Sequence, residues 1–502
     1  MKDVYLKGIN ILIMKKTGVL AVLLLGLGLW ACKSETDEKG PYFGNGFKNG
    51  WVDQHSAVIW TRLTAMPEMN ADGPEFIPIS KKEAQQLAKT GDSTQIWSAQ
   101  VPQGAILDSM QGACPGMLGE VKLTYRPKNG GATKTTDWAR VDPEKDFTFQ
   151  WQLTDLQSNT IYEIEILAKA IGAKQVFSKV KGQFKTAPDE NETQESIAFS
   201  VVSCHDYNRK DLQGGHKIYQ AMEADSIDFY IHTGDIEYYD KPNPYAMTES
   251  MMHYKWNRLF ALPIQRDFYA SHTTYFMKDD HDTLKDDAFP GNTYGTVDFE
   301  RGLDIFDKVQ FPSAEKTYKK LRWGKDLELW ILEGRNYRSK NTDPDGAAKT
   351  ILGAEQKEWL FRTLSASDAR YKIVVSPSPI LGPDRGKGKY DNLSNSSYAH
   401  EGDEVRAFLN QFDDVFIVTG DRHWQFVTQI PNTNLWEFGT GSGADIHAGG
   451  WDPEDVRPQH RFLRVKGGYL LVRVIETTAG PELRFELKDV DGKLKHQEVF
   501  LR

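Results

Sequence analysis

From about residue 41 to about 190, apolar and polar residues alternate. "SAVIWTRLT" (56–64), "GEVKLTYRP" (119–127), "DFTFQWQLTDL" (146–156), "TIYEIEILAKAIG" (160–172) and "KGQFKTAP" (181–188) carry the pattern. Successive side chains of a strand point to opposite faces, so each stretch predicts a half-buried strand. Turn residues separate them. No cluster of metal-ligand residue types falls in this region, which predicts an accessory β-sandwich.

The polar, aperiodic "APDENETQE" (187–195) reads as a linker. Beyond it the pattern changes. "SIAFSVVSC" (196–204) is a continuous apolar strand, "GGHKIYQAMEAD" (214–225) fits a helix, and "IDFYIHTGD" (227–235) is another strand. Strand, helix and strand in that order imply parallel pairing. The theme continues through "ELWILEGR" (328–335), "AEQKEWLFRTL" (354–364), "YKIVVSPS" (371–378), "DEVRAFLNQF" (403–412) and "DVFIVTGDRH" (414–423). The last segments, "GYLLVRVIE" (468–476) and "ELRFELKDVDGKLKHQEVFL" (482–501), predict antiparallel strands with "DVDGK" as the turn. The expected fold class is α/β: central sheets flanked by helices over 191–502, preceded by an all-β sandwich over 41–190.

At the start, "MKKTGVLAVLLLGLGLWAC" (14–32) has a basic head, an apolar run and a small residue before Cys32. That is the layout of a secretory signal. "LWAC" resembles the lipobox of bacterial lipoproteins, with Cys32 as the lipidated residue and 32–40 as a tether. A transmembrane anchor is the alternative, and Met14 is an alternative start. The expectation is a periplasmic or cell-surface protein anchored to a bacterial membrane, the outer one by preference. The net charge of -9 and the lack of a Lys/Arg block exclude a nucleic-acid binder. Cys114 and Cys204 are the other cysteines. In an oxidising compartment they form a disulfide, or Cys204 supplies a thiolate ligand.

In α/β sheets, ligands bind beyond the carboxyl ends of the strands. Here those ends hold Cys204 and Asp206, then Asp235 and Tyr238, then Asp279, Asp280, His281 and Asp282, then Asp421 and His423. Any one could be turn chemistry. Four together predict a cation site, because crowded carboxylates repel unless something positive holds them. Carboxylates suit calcium, whereas a thiolate and a phenolate suit a stronger Lewis acid such as a ferric ion. Two or more metals fit the charge. Adjacent metals serve in-line displacement at phosphorus.

The ordered motifs C-H-D (204–206), G-D (234–235), D-D-H-D (279–282) and G-D-R-H (420–423) resemble those of metallophosphoesterases, specifically the PhoD-like branch of alkaline phosphatases. "ILGAEQKEWLFRTL" (351–364) is similar to that branch's L-G-x-x-Q-x-x-W-L helix, and "GWVDQHSAVIWTRL" (50–63) to the opening of its N-terminal sandwich. "LQSNTIYEIEI" (156–166) resembles a segment of fibronectin-type sandwiches. The resemblance implies hydrolysis of phosphate esters by a hydroxide between two metals. It implies that Cys204, Asp235 and Tyr238 bind a ferric ion, with Asp235 bridging to a second site. Asp280 and Asp421 would bind that second site, calcium in this branch. Asp206 and His423 occupy ligand positions of the wider superfamily. His281 would give a proton to the leaving oxygen or hold the phosphoryl group; a metal ligand is its alternative. Asp279 and Asp282 would orient their neighbours, Asp286 would touch the site, and Asp287 would be a solvated turn.

The chain departs from the branch at "LEGR" (332–335), where L-D-T-R is usual. Arg335 is then a phosphate contact or a structural ion pair. "VVSPSP" (374–379) offers serines where the superfamily has a histidine ligand. His400 and Glu401 are read as part of a solvated loop, and His232 as a core histidine. His216 and His447 have no evident partner. A phosphodiesterase or phospholipase D-like hydrolase, and a non-catalytic surface binding lipoprotein, are the competing readings.

Overall fold

Alternation in the first part of the chain builds two antiparallel sheets. One joins strands Phe47–Gly50, Ala57–Arg62 and Thr148–Leu153. The other is centred on Glu120–Pro127, Ile161–Lys169 and Ser178–Lys185. In Ile161–Lys169 every second residue, Tyr162, Ile164, Ile166 and Ala168, is buried, as the two-residue side-chain period requires. The computed structural model describes residues 40–385 and 389–501. The expected signal segment and Cys32 lie outside the described residues. Among the described residues, no helix is long and apolar enough to cross a membrane.

The first region is not all-β. It contains helices α1 (Lys81–Thr90) and α2 (Ser93–Gln100). Ser80 caps α1 by accepting from the Glu83 N–H, and Gly91 at φ +61° ends it. Asp92 then caps α2 through the Thr94 and Gln95 N–H groups. Serine, glycine and aspartate at those positions are ordinary helix boundaries.

The rest folds around two larger sheets. The first has six strands in the order Thr273–Phe276, Phe229–His232, Ser196–Val202, Gly468–Ile475, Glu482–Asp489 and Leu494–Leu501. Its first three are parallel and its last three antiparallel to their neighbours. The second has seven strands, with Leu327–Ile331, Tyr371–Ser376, Val415–Thr419 and Trp436–Thr440 as its parallel centre. The sheets share a core in which Phe199 stacks on Phe229 with ring centroids 4.6 Å apart and Phe438 on Phe485 at 3.9 Å. Each such ring contributes about 1.5–3 kcal/mol by burial. The opposite faces are covered by helices: Ile218–Ala224, Glu249–Phe260 and Pro263–Ser271 on the first sheet, and Ala354–Ser365 and Ala399–Leu409 on the second. The order is helix, sheet, sheet, helix.

The N-terminal sheets dock on the edge strand Thr273–Phe276. Asn49 accepts from the Thr274 N–H at 3.0 Å and donates to the His272 carbonyl at 2.6 Å, while the Tyr275 hydroxyl donates to the Val52 carbonyl at 2.7 Å. At the opposite end, the two large sheets meet where Ser203 bridges Ser442 and the Gly443 N–H donates to the Cys204 carbonyl at 3.1 Å. That seam carries the site.

Candidate metal centre

Each strand must turn sharply as it leaves the seam. Cys204 (φ +53°), Asp206 (φ +99°), Asp235 (φ +56°) and Asp421 (φ +63°) all adopt positive φ. Such conformations cost about 1–3 kcal/mol each for non-glycine residues and cluster at functional sites. Gly234 sits at φ +111°, and a Cβ there would lie 2.7 Å from the Asp279 Cβ and 2.8 Å from its backbone nitrogen. Two site loops therefore touch backbone to backbone. Gly234→Ala is expected to lower the unfolding free energy by about 2 kcal/mol or more, from the strained φ and the clash. Urea denaturation measures it.

The turns build four groups, in each of which the ligand atoms lie within 4.8 Å of one another. They are Cys204 with Asp235 and His423; Asp235 with Asp280 and His281; Asp235 with Asp279 and Asp421; and Asp280 with Asp286 and Asp287. Asp235 belongs to three of them. The Tyr238 hydroxyl donates to Asp235 Oδ2 at 3.1 Å and stands 3.2 Å from His423 Nε2, and Cys204 Sγ lies 3.5 Å from the same carboxylate oxygen. The donor set thus combines a thiol, a phenol, imidazole and several carboxylates. Asp235 Oδ1 and Asp279 Oδ2 are buried and have no hydrogen-bond partner among the described residues. Orphaned buried carboxylate oxygens of this kind fit a bound cation.

A surrounding layer fixes these groups. Asp282 accepts from the backbone N–H groups of Asp235, Ile236, Glu237 and Asp279 at 2.6, 2.8, 3.1 and 3.0 Å. Arg335 Nε donates to Asp279 at 2.7 Å, and Arg422 pairs with both Asp421 and Asp384. His281 Nδ1 is 2.7 Å from Asp240 Oδ1, which fixes the Nδ1–H tautomer and leaves Nε2 free to act. Burial opposes charge on His281, but the carboxylates of Asp240, Asp280 and Asp235 lift its pKa well above the usual imidazole value.

Burial leaves the Cys204 thiol and the Tyr238 phenol protonated until a cation displaces their protons. It raises the Cys204 thiol well above its usual value, with Asp235 adding to the effect. Burial, then Asp235 and Cys204, does the same to the Tyr238 phenol. His423 is pushed down to about 3, first by burial and then by His281, so it is a neutral ligand.

The structure brings together Cys204, Asp235, Tyr238, Asp280, His281, Asp421 and His423. Asp206 stands apart: it accepts from the Asn208 N–H at 2.9 Å, faces Arg209 at 3.6 Å and belongs to none of the four groups. Arg335 is fully buried against Asp279, so its charge is spent on an ion pair and not presented to a pocket. Cys114 and Cys204 are both free. Asp287 is no solvated turn: its N–H donates to Asp280 at 2.6 Å and its carboxylate faces Lys389 at 3.2 Å. Glu401 is buried and accepts from the Ile351 N–H at 2.5 Å, which is a structural role. His232 is a core histidine, paired with His205 at 2.5 Å and accepting from the Gly234 N–H at 3.2 Å.

Sequence reasoning missed Asp240 and His447. Asp240 follows Tyr238 by two residues, and its proximity to the G-D turn was the available signal. The His447 ring lies 4.3 Å from His423 and 5.1 Å from Tyr238; no local pattern marks it.

Comparison with known proteins locates this architecture. Residues 306–466 match the family described as PhoD-like phosphatase. That PhoD-like region contributes Arg335, Asp421, His423 and His447 to the seam, while Cys204, Asp235, Tyr238, Asp280 and His281 come from the preceding chain. Alkaline phosphatase D of Bacillus subtilis (strain 168) is 23% identical over 358 residues, 58% of this chain and 59% of that protein. The chain thus matches less than two thirds of this curated relative's length. The solved structure of PhoD superposes with a TM-score of 0.66 at 15% identity, covering 93% of this chain and 90% of that one. A purple acid phosphatase from yellow lupin (Lupinus luteus) seeds gives 0.58 at 10% identity, over 91% and 74% of the two chains. The fold is therefore the mixed α/β fold of these PhoD and purple acid phosphatase structures.

Proposed function

We propose that this protein is a metal-dependent phosphoester hydrolase acting on small-molecule phosphate esters. The carrying observation is the convergence of four strand ends on Asp235, beside an imidazole held by Asp240. Cys204, Tyr238 and Asp235 are the donors suited to a ferric ion, and Asp280, Asp286 and Asp287 form an all-oxygen group suited to calcium. Cations bound there would lower the pKa of a coordinated water and neutralise charge on the phosphoryl oxygens.

The chain's own residues supply the remaining chemistry. Asp240 orients His281 and keeps it protonated, so Nε2 can donate to the departing alkoxide. Arg335 and Arg422 pair with Asp279 and Asp421 and pull those carboxyls toward the ionised form against the burial that raises them. Asp282 holds the 235–237 backbone, which limits drift of the bridging carboxylate. Metal analysis of the purified protein, with assays on p-nitrophenyl phosphate and its bis ester, is the test. Absence of bound iron and calcium, and of any hydrolysis after reconstitution, overturns the proposal.

The His281 assignment has its own expected result. In Asp240→Asn the imidazole loses the carboxylate bonded to its Nδ1, so its pKa falls. The basic limb of kcat/KM is expected to move to lower pH by about one to two units, with metal content retained. Loss of metal without a shift would make His281 a ligand instead. We also propose that Cys32 anchors the protein to a membrane facing the periplasm or cell exterior. Labelled palmitate incorporation lost in Cys32→Ser is the expected result, and incorporation retained overturns it.

A further inference from the structure

A cavity of about 620 Å³ lies between α1 and the loop 285–294. It shares Asp240 and Asp286 with His281, whose ring nitrogens stand 2.7 Å and 3.9 Å from those carboxylates. The cavity thus opens beside the imidazole from which a leaving alkoxide would take its proton. Its size falls within the range of small-ligand pockets, roughly 300–1,000 Å³. Its walls are built: the Gly295 N–H donates to the Ala88 carbonyl of α1 at 3.2 Å. Gly295 is at φ +64°, and a Cβ there would lie 2.1 Å from the Met247 carbonyl oxygen.

The charges lining it do not cancel. Asp240 is matched by His281, and Asp286 by Lys389 at 3.2 Å. Lys81, Lys89 and Lys285 also face the cavity, and none of the three forms an ion pair among the described residues. Lys285 donates to the Thr293 carbonyl at 3.2 Å, and the Asp240 carboxylate acts on it only from beyond ion-pair distance. Tyr245 and Tyr294 supply apolar surface between the lysines. A cavity with unmatched lysines in a chain of net charge -9 is a local inversion of sign.

We propose that this cavity is the leaving-group subsite and that Lys81, Lys89 and Lys285 select an alcohol carrying its own negative charge. The inference rests on the hydrolase reading above. It assigns specificity to α1, an element of the N-terminal region outside the matched PhoD-like residues. No residue of the metal centre is altered in its test.

The test compares 4-carboxyphenyl phosphate with 4-carbamoylphenyl phosphate, which differ by one charge in the leaving group. Metal-loaded full-length protein is expected to favour the carboxylate on the order of tenfold in kcat/KM, through several partly screened charges. Rising salt erodes the preference. Combining Lys81→Gln, Lys89→Gln and Lys285→Gln is expected to bring the ratio near one, with circular dichroism checking the fold. A ratio at or below one in the wild type, or unchanged in the triple variant, overturns the inference. If neither ester is cleaved, the hydrolase reading fails by itself. Calorimetric binding of 4-hydroxybenzoate then decides the subsite: binding weakened about tenfold in the triple variant supports it, and no binding overturns it.

Discussion

In Asp235→Asn, phosphate-ester kcat/KM is expected to fall on the order of 10³-fold, the range seen when one preorganised electrostatic group is removed. Bound metal should fall with it. Asp235 belongs to three of the four ligand groups, so one substitution weakens every position it shares. Asparagine tolerates the φ of +56° at this turn, so the fold is kept. Stability should respond with opposite signs in two conditions. Burial, and then the charges of Asp280, Asp279 and Asp282 against the help of His281, push the Asp235 carboxyl well above its usual pKa. With metal, the variant loses an ion's worth of attraction and melts lower than the wild type. In chelator, it loses a repulsion and melts at or above the wild type. Lower melting in both conditions would assign Asp235 a structural role only.

Metal removal is expected to lower Tm by about 4 °C per bound cation at pH 7.5, the shift that a ligand held near a thousandfold above its Kd gives in a chain of this length. The pH profile of the metal-free protein carries the sign. Burial raises Asp421 to about 6 against the pull of Arg422. Burial outweighs four backbone N–H bonds and takes Asp282 to about 7; burial and then Asp391 take Asp287 to about 7. A carboxyl raised in the folded state contributes stability below its unfolded value, near 4. It loses that contribution as pH climbs through the folded value. Metal-free Tm should therefore decline between about pH 4 and pH 7. Cations supply the missing counter-charge, so the metal-loaded curve should stay flat there. Equal melting with and without chelator would count against a cation centre.

The strand-end motifs were legible because strands are local and their periods are short. Alternation in Ile161–Lys169 and the apolar run Ser196–Val202 state their burial directly. The residues after each strand then follow from where α/β sheets place their ligands. Helices α1 and α2 were missed within a region dominated by strands, although Ser80 and Gly91 bound α1 with ordinary caps. Asp287 was misjudged because solvation is decided by Lys389, about a hundred residues away.

The sequence by itself determined the strands, the helices that alternate with them beyond residue 195 and the chemistry carried at the strand ends, since propensity, period and motif act over a few residues. Only the tertiary structure decided how that chemistry is shared out. Arg335 was open between phosphate and protein until packing placed it against Asp279. Asp206, offered alongside the others by spacing, turns into a local cap. Asp240 and His447 join the site because the chain closes on itself across the seam between two sheets. Charge and hydrogen bonding are settled at distances of a few ångström, and residues far apart in sequence reach those distances only when the core between the sheets is packed.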